Sequence, residues 1–250
     1  MKVSIITITY NSEATLADTI ESVLNQTYTD LEYIIVDGGS TDKTLSIIDS
    51  YRDKISKVVS EKDQGLYDAL NKGIAMASGD VIGLIHSDDF YTGKDVIGKI
   101  VKAITEQHAD AAYADLYYVD KNDTSVVFRK WKSGPYRHGM FLRGWMPPHP
   151  TFFARKECYE KFGSFNLSLV SSADYELMLR FIHKHRIRLA YLPEFIIKMR
   201  VGGKSNVSLK NRIRANQEDR KAWKINGLKP NPLTLYMKPL RKIIQLFKKS

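Results

Sequence analysis

Apolar and polar positions over the first ninety residues alternate between two periods. Val3-Ser4-Ile5-Ile6-Thr7-Ile8-Thr9 is almost wholly β-branched and predicts a first strand. Leu16, Ile20, Val23 and Leu24 then recur at helical spacing, with Asn11-Ser12 as the expected cap. Tyr33-Ile34-Ile35-Val36 predicts a second strand. Asp37-Gly38-Gly39-Ser40-Thr41-Asp42 follows as a glycine turn into a helix carrying Leu45, Ile47 and Ile48. A shorter strand is expected over Ile55 to Ser60, and a helix over Gly65 to Ser78 from the spacing of Leu66, Ala69, Leu70, Ile74 and Ala77. Val81-Ile82-Gly83-Leu84-Ile85 is an uninterrupted apolar run, the pattern of a central parallel strand buried on both faces. Such alternation builds an α/β fold with a parallel, doubly wound sheet flanked by helices.

The second half is less regular. Lys94 to Gln107 predicts a helix, and Ala111 to Val119 and Ser125 to Phe128 predict strands around the polar turn Asp120-Lys121-Asn122-Asp123. Lys130 to Met146 interleaves Gly134, Pro135, Gly139 and Gly144 with Trp131, Tyr136, Phe141 and Trp145. Two readings stand for it: a lid over a sugar or acceptor, or aromatics packing a long loop onto the domain. Ser172 to His185 predicts a helix capped by Ser172, with Leu177, Met178, Phe181 and Ile182 on its apolar face. Leu189 to Met199 reads as a strand region broken at Pro193. Beyond it lie a basic helix over Val207 to Ile225, a breaker over Gly227 to Pro232, and an apolar stripe of Leu240, Ile243, Ile244 and Phe247. Arg241, Lys242, Lys248 and Lys249 flank that stripe, which fits either an interfacial helix on anionic lipid or packing onto the main domain.

Composition narrows the picture. A chain of 250 residues makes one large α/β domain or a domain with an appendage. The single cysteine, Cys158, excludes an intramolecular disulfide and a cysteine metal cluster, and fits a reducing compartment. Neither a signal-peptide pattern nor an apolar run near ~18 residues is visible, so a soluble or peripheral protein is expected. The net charge of +10 is uneven: Lys198 to Ser250 holds 15 Lys and Arg against 2 acids, a local +13 that leaves −3 for everything before it. A basic tail implies an anionic partner surface, membrane or nucleic acid. Only Trp223, Tyr236 and Phe247 offer stacking rings there, so no nucleic acid is expected.

Candidate chemistry gathers at the carboxyl ends of the predicted strands, where open α/β sheets bind ligands. Thr9, Tyr10, Asn11, Asp37 and the pair Asp88-Asp89 all fall there. Two adjacent acids repel unless a cation or hydrogen-bond donors hold them, so a divalent metal (Mn2+ or Mg2+) completed by phosphate oxygens suits them. Tyr10 offers a ring for stacking on a base, and Asp37 an acceptor for a base N–H or ribose hydroxyls. Each residue alone also fits a structural role, as a turn acid or a packing ring; their joint placement makes a site. His149 fits a ligand or a hydrogen-bonded core histidine.

ITYN at Ile8 to Asn11, VDGGSTD at Val36 to Asp42, EKDQGLYDALNKG at Glu61 to Gly73, and SGD with HSDD at Ser78 to Asp89 together resemble glycosyltransferase family 2. HPTFFARKECYEKFGSF (His149 to Phe165) and SSADYELMLR (Ser171 to Arg180) extend the likeness to roughly residues 2 to 205. The resemblance implies a GT-A fold and inverting transfer from a nucleotide-sugar donor. It implies that Tyr10 and Asp37 line the base pocket, that Asp63 joins the nucleotide-sugar site, that Asp88 and Asp89 serve metal and donor, and that Asp174 is the catalytic base. Arg200, in Arg200-Val201-Gly202-Gly203-Lys204-Ser205, would fold over the diphosphate leaving group; a solvated basic turn is the alternative. Three positions depart from the family pattern: His86 stands where an acid often precedes Asp88, Gly38 replaces a second acid, and Ala173 replaces the glutamate before Asp174.

The expected organisation is a GT-A domain over 1–205, divided into a nucleotide-binding half (1–92) and an acceptor half (93–205), then a basic helical tail over 206–250. The implied enzyme uses a divalent metal and a nucleotide-diphosphate sugar, UDP-sugar favoured because one ring and one acid suit a pyrimidine. Its acceptor is a glycan or lipid-linked saccharide in polysaccharide biosynthesis. Its expected place is the cytoplasm, peripheral on the inner membrane face. A sugar-phosphate nucleotidyltransferase usually carries a glycine-rich, basic loop after the first strand, and Ile8-Thr9-Tyr10-Asn11-Ser12-Glu13-Ala14 has none. A dinucleotide oxidoreductase lacks its G-x-G-x-x-G. A non-catalytic nucleic-acid or membrane binder would rest on the tail alone.

Overall fold

The computed structural model describes residues 1–202, 209–231 and 234. Gly203 to Ser205 and the apolar stripe at Leu240, Ile243, Ile244 and Phe247 lie outside the described residues. Among the described residues, nine strands form one sheet: β1 (Val3–Thr9), β2 (Leu31–Asp37), β3 (Lys57–Ser60), β4 (Val81–His86), β5 (Asp89–Tyr91), β6 (Ala111–Val119), β7 (Val127–Trp131), β8 (Phe153–Arg155) and β9 (Leu189–Arg200). The helices are α1 (Leu16–Leu24), α2 (Thr44–Ser50), α3 (Leu66–Met76), α4 (Val96–Glu106), α5 (Lys156–Phe162), α6 (Ala173–Met178) and α7 (Leu209–Ile225). The strand order is β3-β2-β1-β4-β8-β6-β9-β5, with β7 on β6. The first four strands run parallel as their apolar runs predict, and every residue of β1 is buried.

Parallel register fixes where the chemistry emerges. Thr9 pairs with Asp37 across β1 and β2, and Ile8 with His86 across β1 and β4. Three strand ends therefore open onto one crevice. On the other side of β4, the antiparallel β8 lays the Phe153 ring against Gly83, where any Cβ would overlap it. Glycine is required there by close approach, not by turn geometry.

The structure corrects several expected boundaries. Pro193 does not break β9. Ala114 pairs with Leu192 and Asp115 with Phe195, so Pro193 and Glu194 are set out of register and the proline removes no ladder bond. Asn11-Ser12 does not cap α1, which starts at Leu16. Asn11 instead takes a left-handed φ of 49°, which asparagine tolerates. Ser172 stands at the N-cap of its helix as expected, but its side chain makes no cap hydrogen bond; its Oγ donates to the Ala215 carbonyl, 3.2 Å away. The helix also changes character, running as α through Met178 and as a π-turn over Leu179–Lys184. The loop from Lys130 to Met146 packs inward: Phe141 and Trp145 are buried, and the Trp145 indole donates to the Ser133 carbonyl at 2.9 Å.

Helix α7 packs against the second half of the chain. Trp223 is fully buried and donates to the Tyr175 hydroxyl at 2.9 Å, and Glu218 accepts the backbone N–H groups of Val170, Ser171 and Ser172 at 2.7–3.1 Å. Those donors form the run-in to α6. No helix among the described residues is long and apolar enough to cross a membrane.

Candidate functional site

The crevice is floored by two loops laced to each other. The loop after β1 gives the Asn11 Oδ1 as acceptor to the Thr41 N–H at 2.9 Å, while Asn11 N–H donates to the Ser40 Oγ at 2.8 Å. Ser12 N–H donates to the Thr44 Oγ1, and Glu13 N–H to the Asp42 carboxylate. Asn11 therefore acts as a staple between loops. Tyr10, next to it, is 51% exposed. The Thr9 hydroxyl is buried without a hydrogen-bond partner among the described residues, and its carbonyl accepts the Gly38 N–H at 2.9 Å.

Asp37 is fully buried, and both its oxygens are engaged. Oδ1 accepts the Ser40 hydroxyl at 2.5 Å; Oδ2 accepts the Gly39 and Ser40 N–H groups and the Ser60 hydroxyl at 2.6–3.1 Å. A carboxylate so saturated shapes the glycine turn and has little capacity left for a ligand. Asp63 is the acid on the crevice side. A Cβ on Gly38 would sit 3.0 Å from Asp63 Oδ2 and 3.5 Å from the Tyr10 ring, so the glycine lies between them. An acid at position 38 would press against the Asp63 carboxylate, which accounts for the departure from two adjacent acids. Lys72 on α3 holds Asp63 and Glu61, each at 2.7 Å, and those hydrogen bonds push its ammonium pKa up.

The acid pair after β4 divides. Asp88 is half-buried in the turn; burial raises its carboxyl, opposed by Arg200 and His149. Asp89 opens β5 opposite Met199 and is 1% exposed, with both oxygens sealed and unpartnered among the described residues. Burial drives the Asp89 carboxyl well above the usual range, and the neighbouring charge of Asp88 adds to it. Glu32 is buried differently, accepting from Ser4, Ser78 and Lys57 at 2.6–2.9 Å. Of the two acids, Asp88 keeps exposed surface and Asp89 does not. No cluster of three His, Cys, Asp or Glu groups suited to a metal occurs among the described residues. Asp88 thus fits a metal that draws its remaining ligands from phosphate oxygens and water.

Arg200 is 7% exposed, at the end of β9. Its guanidinium pairs with Asp18 of α1, donates to the Asp88 carbonyl at 2.9 Å and lies 4.8 Å from the Phe90 ring centre. It fixes the turn that carries Asp88 from behind.

Asp174, in the first turn of α6, reaches the crevice from the second half. Its Oδ1 accepts the Tyr67 hydroxyl at 3.2 Å, and its Oδ2 lies 3.4 Å from His149 Nδ1. His149 Nε2 is 3.2 Å from His86 Nε2. Partial burial, and then the neighbouring His149 ring, lowers the half-buried His86 imidazole to about 3. Burial, and then the charge of Asp174, raises the Tyr67 phenol, so it stays a donor. Sequence reading gave no role to Tyr67 or Lys72. The i,i+4 spacing of Asp68 and Lys72 was the one local signal for an ion-paired α3, with 3.6 Å between the charges.

Comparison with known proteins accords with this geometry. The family model described as Glycosyl transferase family 2 matches residues 4–162. An uncharacterised glycosyltransferase of Mycobacterium tuberculosis is 33% identical over 180 residues, 71% of this chain and 68% of the relative. A PGL/p-HBAD biosynthesis glycosyltransferase of Mycobacterium bovis is 29% identical over 207 residues, 81% of this chain and 78% of the relative. Among solved structures, residues 1–349 of S. aureus TarS with UDP-GlcNAc align at TM-score 0.71 and 20% identity, covering 90% of this chain and 65% of that one. The mannosyltransferase PcManGT from Pyrobaculum calidifontis, with GDP-Man and Mn2+, aligns at 0.69 and 20%, covering 95% and 68%. The two structural likenesses share the GT-A fold, and with the family match over most of the sheet they make this chain a glycosyltransferase of family 2.

Proposed function

We propose that the chain is an inverting glycosyltransferase that moves a sugar from a nucleotide-diphosphate sugar to a hydroxyl of a glycan or lipid-linked saccharide, in polysaccharide or glycolipid assembly. One observation carries the reading: Asp174 is tied through His149 to His86, the last residue of β4 and two residues before Asp88. A base candidate and an anion-side acid thus flank one crevice. Asp174 takes the proton of the acceptor hydroxyl as its oxygen attacks the anomeric carbon. The bond from that carbon to the diphosphate breaks on the opposite face, its electron pair leaves with the nucleotide diphosphate, and configuration inverts. Asp88 would hold a divalent metal, Mn2+ or Mg2+, whose chemistry when bound is to neutralise charge developing on the leaving diphosphate. Arg200 keeps the Asp88 turn in place and contributes positive charge near it. Tyr10 stacks on the base, Asp63 accepts from its N–H edge, and Asp37, Thr9 and Asn11 shape the loops that present them.

UDP is the favoured donor nucleotide because a single ring and a single unsaturated acid suit a pyrimidine. The fold neighbours were solved with UDP-GlcNAc in one case and GDP-Man with Mn2+ in another, so the fold itself accepts either base. A thermal-shift panel of UDP-, GDP- and dTDP-sugars with and without manganese tests donor and metal together. The largest stabilisation is expected from a UDP-sugar with manganese; a larger one from GDP overturns the base assignment.

The charge of +13 from Lys198 onward supports an anionic membrane surface as partner. Co-sedimentation of the intact chain with anionic vesicles at low salt is the expected result, weakening as salt screens exposed charges within ~10 Å at ~0.1 M. Absence of binding at low salt rejects the membrane partner and leaves the transfer reaction standing.

A further inference from the structure

We propose that His149 is a positioning residue for Asp174, holding one carboxylate oxygen while Tyr67 holds the other, so that the base faces the acceptor hydroxyl in one orientation. The inference rests on Asp174 being the base. The two oxygens are addressed separately, Oδ1 by Tyr67 from α3 and Oδ2 by His149 Nδ1. A carboxylate only accepts, so Nδ1 carries the hydrogen in this pairing. In the neutral imidazole that leaves Nε2 bare, and the His86 Nε2 at 3.2 Å supplies the matching donor. Partners on both sides thus set one tautomer.

The imidazole has a rigid mount. His149 begins the short turn His149–Thr151, whose Thr151 is fully buried. The Thr151 hydroxyl donates toward the Ala114 and Pro148 carbonyls at 2.9–3.0 Å and accepts the Ala114 N–H at 3.2 Å. Ala114 belongs to β6 and His86 to β4. Asp174 sits on a six-residue helical segment that changes to a π-turn after Met178. His149 therefore ties a base on an irregular helix to two strands of the sheet. The His149 side chain is 34% exposed and that of Asp174 22%, so neither is sealed in the core.

Removing one of two holds on a carboxylate lets it rotate about the other, and displacement of a reacting group by about 1 Å can cost ~10²-fold in rate. His149→Ala is expected to lower kcat about 10- to 100-fold while donor KM and manganese-dependent nucleotide binding stay unchanged. His149→Asn should recover most of the loss, because its amide N–H can occupy the Nδ1 position; His149→Gln, whose amide extends toward the Nε2 position, should not. Thermal midpoints of all three, measured alongside, separate unfolding from misorientation. In an Asp174→Asn background, His149→Ala should cost nothing further, since two residues acting as a unit are non-additive. Asn and Gln variants of equal activity overturn the proposal, as does a nucleotide affinity that falls with kcat, or a full independent cost in the Asp174→Asn background. Normal transfer by Asp174→Asn alone is the distinct result that removes the base reading, and this inference with it.

Discussion

Asp174→Asn is expected to keep donor affinity and to lose transfer by ~10²-fold or more, the size of a general-base contribution. The substitution is nearly isosteric, and the new amide oxygen can still accept the Tyr67 hydroxyl that now stands 3.2 Å from Oδ1. It cannot take a proton from an acceptor hydroxyl. Donor affinity should be spared because Tyr10, Asp63 and Asp88 come from the loops after β1, β3 and β4, whereas Asp174 comes from α6. Single-turnover transfer, run beside nucleotide binding, separates the two quantities. Near-normal transfer moves the base to another residue, while parallel loss of both makes Asp174 a donor ligand.

What the sequence makes legible here is whatever its local period encodes. Six of the seven positions of β1 are β-branched, and with the unbroken run from Val81 to Ile85 they encode strands buried on both faces, whose ends parallel pairing then brings to one edge. The strand ends therefore mark the crevice from the sequence alone. Long-range partners are not encoded that way. Nothing local to Asp37 tells that Ser60, twenty-three residues on, fills its second oxygen, or that the Asp63 carboxylate takes the open place beside Gly38. Pro193 reads as a breaker because the local rule is right for a regular ladder; the register shift against β6 removes the condition on which that rule depends. The contacts of α7 are hidden for a related reason: its charge advertises solvent, while Ala222 and Trp223 are fully buried. The pairing of His149 with Asp174 and His86 joins three segments far apart in the chain, so only the fold brings it into view.

Asp88→Ala is expected to abolish manganese-dependent nucleotide binding and to lower transfer by ~10²-fold or more, whereas Asp89→Asn should leave both within a few-fold of the parent. The difference follows from burial. Adjacent residues entering a strand turn to opposite sides, and Asp89 goes inward with both oxygens sealed, where its carboxyl is driven toward the neutral form. Asparagine matches a neutral carboxyl in shape, so the core around β5 keeps its packing. Alanine at 89 would instead leave a cavity and confound stability with function. Asp88 remains at the surface of the crevice with Arg200 bound to its carbonyl, which leaves its side chain for a cation. A bound divalent ion favours the ionised carboxylate and offsets the burial that raises it. Calorimetric titration of nucleotide with and without manganese reads the metal effect directly, apart from turnover. A wild-type manganese response in Asp88→Ala, or parental transfer rates in excess chelator, removes the metal from the mechanism. Loss of the response in Asp89→Asn with an unchanged thermal midpoint shifts the ligand to Asp89 and means that the turn after β4 opens when donor binds.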